Sequence, residues 1–255
     1  MDNFRRWHEL KENVSFYNEE MNVSFNQCDK NHRLSFYDIL KISSDTAVTD
    51  YDRIGLTWQK FHDLKTVFVV SRISFRFHKF PVASQNIRVK TWTETSLPLQ
   101  FVRLYDFYDA ESGELLISGI SHWLYVSTET HRIIRTKDFT EKEIPDFKTE
   151  HQALEPGKIS IPENLKFLVE RPVWYSDIDG NGHVNNAKYG AFVIDSLPEE
   201  YQNKTFTDFR LNFSKEAVQG QNIKIYGNFD DENKKIVIVA IQNDSICFES
   251  ELFYK

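Results

Sequence analysis

The segment 174–189, WYSDIDGNGHVNNAKY, places a carboxylate, an amide and an imidazole within one short stretch. Asp179, Asn181 and His183 occupy every second position, with a glycine between each pair. An imidazole suits proton transfer near neutral pH, and a carboxylate can position a water or attack a carbonyl. The glycines let the backbone turn closely around a ligand. A helix is predicted directly afterwards, so its free N–H groups could hold a developing oxyanion. The segment predicts a hydrolase centre.

Each of these residues also has a plain structural interpretation. A lone histidine is often structural, but His183 stands between a glycine and a helix start, with Asn181 close enough to orient it. Asp179 could be a turn residue, and Asp177 is equally placed by spacing, because positions two apart in extended chain share a side. Asn181 could simply supply a left-handed turn conformation. The spacing alone leaves these alternatives open.

Asn185, Asn186 and Glu216 are further candidates, but the sequence favours a structural or solvated position for each. Asn185 and Asn186 are predicted to cap the following helix, which is a structural role. Glu216 ends an alternating strand in the run FSKEAVQG, where a glutamate is usually just solvated. Spacing therefore gives Glu216 only a weak claim to a catalytic role.

Composition excludes several classes of protein. The 255 residues carry a formal net charge of −7, which argues against nucleic acid as a partner. No stretch is apolar enough for a membrane span, and the N-terminus resembles neither a secretory signal nor a transit peptide, so we expect a cytoplasmic protein. Cys28 and Cys247 form no redox or metal motif and are expected to be free thiols. No nucleotide-binding fingerprint or zinc motif is present, so the sequence predicts no cofactor and no metal site.

The periodicity predicts an α+β chain whose second half repeats the order of the first. A strand over 14–26 and a helix over 34–51, capped by Ser35, precede strands at 67–77, 87–94, 100–108 and 115–127. In the second half, a strand at 165–174 and a helix at 185–197 precede strands at 206–214, 221–229, 235–242 and 246–254. We therefore predict domains at 1–137 and 164–255, joined by a proline-containing linker at 138–163.

The run DIDGNGHVNNAKY resembles the signature of hot-dog thioesterases, and more closely that of acyl-acyl-carrier-protein (acyl-ACP) thioesterases. FSKEAVQG resembles a second segment of that family, and the run from Leu64 to Trp92 resembles its first strand pair. The resemblance covers most of the chain. It implies two tandem hot-dog domains, each a curved antiparallel sheet around a long helix, in a bacterial member of the family. It also implies the catalytic set Asp179, Asn181, His183 and Glu216. Ala217 stands where the plant pattern has cysteine, which disfavours a thiol nucleophile.

The resemblance implies hydrolysis of fatty acyl-ACP to free fatty acid, with the acyl chain in the first domain and the chemistry in the second. The partner would be an acyl carrier protein with a phosphopantetheine-linked acyl chain, and the enzyme a monomer or homodimer. Carrier docking would require local basic residues, for which the candidates are Arg132, Arg135, Lys137, Lys188 and Lys215. An acyl-CoA thioesterase and a non-catalytic acyl-binding hot-dog protein stay open as alternatives.

Overall fold

The computed structural model describes residues 5–11 and 14–255, so residues 1–4 and 12–13 of the predicted first domain lie outside it. Its helices are α1 (Phe36–Arg53), α2 (Trp58–Asp63), α3 (Asn186–Ser196) and α4 (Glu199–Gln202). The strands of the first half are β1 (Arg6–Lys11), β2 (Val14–Asn22), β3 (Thr66–Phe77), β4 (Asn86–Leu97), β5 (Gln100–Asp109), β6 (Leu115–Ser127) and β7 (Ile133–Ile134). Those of the second half are β8 (Lys166–Pro172), β9 (Phe206–Phe213), β10 (Asn222–Asp230), β11 (Lys235–Gln242) and β12 (Ser245–Tyr254).

The strands form one continuous antiparallel sheet in the order β1-β2-β4-β5-β6-β3-β9-β12-β11-β10-β8, with β7 beside β6. The first half contributes β2-β4-β5-β6-β3, and the second half contributes β8-β10-β11-β12-β9, which is the same order in equivalent strands. The halves meet through the equivalent strands β3 and β9, where Phe75 pairs with Phe209. The predicted repeat is therefore confirmed, and its two sheets are joined into one.

The two long helices lie together against this sheet. Ser35 caps α1 by accepting a hydrogen bond from the Asp38 amide at 3.1 Å, as predicted. Gly190 lets α3 approach α1 closely, because a Cβ there would lie 3.2 Å from the Phe36 carbonyl oxygen. The Phe36 ring packs edge-on against Phe206 and Phe209 of β9. One hydrophobic core is thus shared by both halves.

The predicted linker is irregular, but it is packed rather than free. Phe147 and Ala153 join the hydrophobic cluster on the outer face of the first-half strands. Asn212 donates from its side-chain amide to the Gly157 carbonyl at 2.9 Å. This segment therefore packs across the outer face of the sheet before β8 begins.

Four elements escaped the sequence prediction: β1, β7, α2 and α4 are each six residues or fewer. Elements this short have too few residues to show a period. No helix among the described residues has the length and apolar character of a membrane span. Cys28 and Cys247 are free thiols, as expected.

Candidate active site

The loop between β8 and α3 is held in place by the buried residue Asp177. This residue is 4% exposed, and its Oδ2 accepts hydrogen bonds from the Arg171 guanidinium at 2.9 Å and the Trp174 amide at 3.0 Å. The Asn185 amide donates to the Asp177 carbonyl at 2.8 Å. Both the carboxylate and the carbonyl of Asp177 are thus occupied by contacts within the protein. This makes Asp177 a structural residue and distinguishes it from Asp179.

Asp179 shapes the turn that carries the other candidates. Its Oδ1 accepts from the amides of Asn181 at 2.8 Å and His183 at 3.4 Å, the pattern of an aspartate-stabilised turn. Its own amide donates to the His183 carbonyl at 2.8 Å. Gly182 has φ of +82°, a left-handed conformation that suits glycine. The turn presents Asn181 and His183 at the surface of the loop.

Glu216 meets His183 across the fold. His183 Nε2 lies 3.2 Å from Glu216 Oε2, with the two side chains 51% and 58% exposed. Glu216 follows the end of β9, where the amides of Ser214 and Lys215 both donate to the Cys247 carbonyl. The structure therefore brings together the imidazole and the carboxylate that sequence spacing could not connect.

Tyr189 of α3 lines the same cavity and connects the helix to the Glu216 segment. Its hydroxyl accepts a hydrogen bond from the Ala217 amide at 3.4 Å. Burial raises the pKa of Tyr189 to about 12, so its hydroxyl remains protonated at neutral pH. Tyr189 was predicted only as part of the motif, without a role of its own.

The start of α3 faces the same space. Asn185 is its cap, as predicted, and accepts from the Ala187 amide at 2.9 Å. Asn186 was predicted as a second cap residue, but it is the first residue of the helix. Its amide donates to no acceptor within the described part of the chain. A free amide at a helix start is suited to a negatively charged oxygen.

These groups border a cavity of about 680 Å³ that continues into the first half. From the second half it is lined by Asp179, Asn181, His183, Asn186, Tyr189 and Glu216, among others. From the first half it is lined by the end of α1, by α2 and by β3, β5 and β6, with a largely apolar surface that includes Tyr51, Phe61, Val70, Phe101 and Trp123. Cys247 also borders it, but burial raises the pKa of its thiol, which disfavours a thiolate nucleophile.

The first half contains the same turn before α1. Asp29 Oδ1 accepts from the amides of Asn31 at 2.8 Å and Arg33 at 3.0 Å, and the Asp29 amide donates to the Arg33 carbonyl. His32 takes the left-handed conformation there, with φ of 59°. We did not predict this correspondence, since the repeat had been evident only in element order. The Asp-x-Asn spacing shared by 29–31 and 179–181 was the signal that would have revealed it.

The two halves differ in side-chain chemistry at the positions equivalent to His183 and Glu216. Arg33 stands where the second half has His183, and it forms an ion pair with Asp29 at 2.9 Å. The amides of His78 and Lys79 donate to the Leu116 carbonyl as those of Ser214 and Lys215 do to Cys247, which places Phe80 where the second half has Glu216. The Arg33 guanidinium lies 5.3 Å from the centroid of the Phe80 ring. The first-half turn thus lacks a proton-transfer pair.

Family models match both halves of the chain. A model of the acyl-ACP thioesterase N-terminal domain matches residues 14–144, and a model of the C-terminal domain of the same family matches residues 163–249. The chain belongs to the acyl-ACP thioesterase family. The resemblance inferred from the sequence motifs is confirmed.

Curated members of the acyl-ACP thioesterase family align at modest identity. Oleoyl-acyl carrier protein thioesterase 2 of Arabidopsis thaliana is 25% identical over 219 residues, covering 76% of this chain and 58% of its own length. An acyl-[acyl-carrier-protein] hydrolase of Cuphea viscosissima is 24% identical over 224 residues, covering 82% of this chain and 53% of its own. The chain therefore spans little more than half the length of these chloroplastic relatives.

Solved structures of acyl-ACP thioesterases confirm the fold. An acyl-ACP thioesterase from Bacteroides thetaiotaomicron superimposes with a TM-score of 0.84 at 21% identity, covering 94% of this chain and 98% of that one. The 12:0-ACP thioesterase from Umbellularia californica superimposes with a TM-score of 0.76 at 15% identity, covering 94% and 97%. The predicted α+β tandem hot-dog fold is correct.

Proposed function

We propose that this protein hydrolyses the thioester between a fatty acyl chain and the phosphopantetheine arm of acyl carrier protein, releasing free fatty acid. The observation that carries the proposal is the His183–Glu216 pair at one end of an apolar cavity. A proton-transfer pair next to a cavity of this size suits a reactive carbonyl attached to a long apolar chain. Membership of the acyl-ACP thioesterase family supports the same substrate.

In the proposed reaction, the carbonyl oxygen binds at the Asn186 amide, where the start of α3 stabilises the charge that develops on it. Glu216 orients His183, which takes a proton from a water as the water oxygen bonds to the carbonyl carbon. The carbon–sulfur bond then breaks, and the carrier thiolate leaves and takes up the proton. Asn181 holds the reacting groups in place. A thiolate is a good leaving group, so little acid assistance is needed.

The sequence leaves two catalytic roles open for Asp179, to attack the carbonyl or to position a water, beside a structural role in the turn. We favour positioning, because Asp179 Oδ1 already accepts from two amides of its own turn. Asp29 makes the same bonds in the first half, where no His–Glu pair is present. The shared bonds are a property of the turn, and proton transfer is assigned to His183 and Glu216, where the two halves differ.

The first half, as we propose, holds the acyl chain, and the second half supplies the chemistry. The apolar lining contributed by α1, α2, β3, β5 and β6 supports this division. The domain limits of 1–137, 138–163 and 164–255 remain predictions. The two hot-dog domains contact each other within one chain through the pairing of β3 with β9. This internal pairing supports a monomer over a homodimer. A cytoplasmic bacterial enzyme stays a prediction.

Among the proposed docking residues, Arg132, Arg135 and Lys137 are exposed. Lys188 instead turns inward, with its Nζ 3.8 Å from Asp177 Oδ1 and 5.3 Å from the centroid of the Tyr37 ring. Lys215 is exposed beside Glu216 at the cavity. We therefore retain Arg132, Arg135, Lys137 and Lys215 as carrier-docking candidates and assign Lys188 to the loop.

The proposal is tested by offering the purified protein matched acyl groups on acyl carrier protein and on coenzyme A. We expect free fatty acid, identified by mass spectrometry, with a higher kcat/KM for the carrier substrate. Preference for the coenzyme A ester would instead support the acyl-CoA thioesterase alternative. Binding of acyl chains without turnover of either ester would support the non-catalytic alternative.

A further inference from the structure

The cavity lining crosses the sheet from the second half into the first. Glu216 follows β9, and the neighbouring strands β3, β6 and β5 contribute Val70, Trp123 and Phe101 in turn. Val70 pairs with Trp123, and Trp123 pairs with Phe101. Thr93 on β4, next to β5, is the lining residue farthest along this path. Four steps between adjacent strands give the path a length of about 19 Å.

A buried ion pair closes the far end of this path. Arg103 lines the cavity opposite Thr93, and its side chain is only 4% exposed. Its Nη2 lies 2.9 Å from Asp50 Oδ2, and its Nη1 donates to Thr91 Oγ1 at 3.2 Å. The Tyr51 ring covers the guanidinium, with its centroid 4.7 Å away.

Asp50 is held from a second direction by the first strand. His8 of β1 places its Nε2 2.9 Å from Asp50 Oδ1. The ion pair is therefore anchored to α1, to β5 and to β1, and it cannot move aside without disturbing all three. Removing one partner of such a buried pair leaves a charge without compensation, which is strongly unfavourable.

We propose that the Arg103–Asp50 pair is the stop that limits the length of the acyl chain, an inference that rests on the proposed function. A hydrocarbon can pack over Val70, Trp123 and Phe101, but its end cannot replace the charged contacts of Arg103. An extended chain advances about 1.2 Å per bond, so the path of about 19 Å admits acyl chains of about sixteen carbons.

The test uses binding of saturated free fatty acids of increasing length, measured by calorimetry, beside hydrolysis of the matching acyl-ACP series. For the wild type we expect affinity and kcat/KM to rise with length to one optimum and then fall. The double variant Asp50→Ser/Arg103→Ala removes both charges and opens the far end. Its preference should shift toward longer chains by about tenfold or more, the scale on which apolar pockets discriminate single methylenes.

The matched control is Arg76→Ala/Asp208→Ala, which removes another ion pair, at 2.8 Å, between β3 and β9 and outside the cavity lining. It should leave the length optimum unchanged. A folded Asp50→Ser/Arg103→Ala protein with the wild-type optimum would overturn the proposal.

A second variant covers the case in which the double variant does not fold. Thr93→Phe fills the space in front of Arg103 and leaves the ion pair intact, so the optimum should move to shorter chains. An unchanged optimum for this variant would also overturn the inference. Fatty acid binding with a length optimum but no ester turnover would refute only the proposed function, whereas turnover without an optimum would refute only the stop.

Discussion

Glu216 Oε2 lies 3.2 Å from His183 Nε2, and the equivalent positions in the first half hold Phe80 and Arg33. The two halves share the same strand order and the same aspartate-stabilised turn. They differ where proton transfer would occur. The chain thus combines one turn that carries a His–Glu pair with one turn that carries an Arg–Phe contact.

The first-half turn gives a direct prediction. Arg33→Ala should lower the free energy of unfolding by about 1–3 kcal/mol, because it removes a partly buried ion pair and a 3.1 Å hydrogen bond to the Lys204 carbonyl. Its kcat/KM for acyl-ACP should stay at the wild-type value. Denaturant unfolding and steady-state kinetics measure the two effects. Loss of turnover in folded Arg33→Ala would show that the first-half turn takes part in the chemistry.

Two substitutions at Asp179 distinguish a role in positioning the turn from a need for its carboxylate charge. Asp179→Asn keeps an oxygen that can accept from the Asn181 and His183 amides, whereas Asp179→Ala does not. If Asp179 positions the turn, Asp179→Asn should keep about fivefold more kcat than Asp179→Ala, since a hydrogen bond contributes about 1 kcal/mol. Asp29→Asn and Asp29→Ala form the control pair, which should differ in stability but not in kcat. Equal inactivity of both Asp179 variants would indicate that the carboxylate charge itself is required.

The source of the incorporated oxygen distinguishes a water mechanism from a covalent one. In a single turnover with water labelled by heavy oxygen, the proposed route puts the label into the fatty acid and leaves the enzyme unlabelled. Mass spectrometry of the peptides that contain Asp179 and Glu216 measures this. Label in either carboxylate would mean that it attacks the carbonyl to form an acyl-enzyme.

The Arg103–Asp50 pair predicts how stability depends on acidity. Burial alone would raise the pKa of Asp50, but Arg103 and His8 together hold it below its usual value. A lowered folded-state pKa stabilises the protein above the unfolded pKa, about 3.9, and this contribution is lost as the pH falls through the folded pKa. Asp50→Asn should therefore be less stable than wild type at neutral pH, with the difference narrowing below about pH 4. A difference independent of pH in denaturant titrations would contradict the assignment.

Much of the fold was predictable, because long alternating strands and the capped α1 carry strong periodic signals. The α2 and α4 helices are too short to show one. Pairing of β3 with β9 into a single sheet depends on contacts between distant segments, which local patterns do not reveal. The packing of 138–163 over the outer face was missed for the same reason.

The candidate site was predictable in part. The spacing of Asp179, Asn181 and His183 is local and visible in the sequence, but spacing could not separate Asp177 from Asp179. The structure distinguishes the two aspartates, because the buried Asp177 carboxylate accepts hydrogen bonds from Arg171 and the Trp174 amide. A catalytic role for Glu216 was predicted only from the family resemblance, since its contact with His183 arises from the tertiary fold.

The most direct test of the central claim is a double-mutant comparison at the His183–Glu216 pair. Both side chains are more than half exposed, so His183→Ala and Glu216→Gln should leave the melting temperature unchanged. Each should lower kcat on acyl-ACP by about 10²–10⁴-fold, the usual contribution of general acid–base catalysis. Because the two residues act as a unit, the double variant should be little slower than the slower single variant. Near wild-type kcat in either single variant, or losses that multiply in the double variant, would contradict the account.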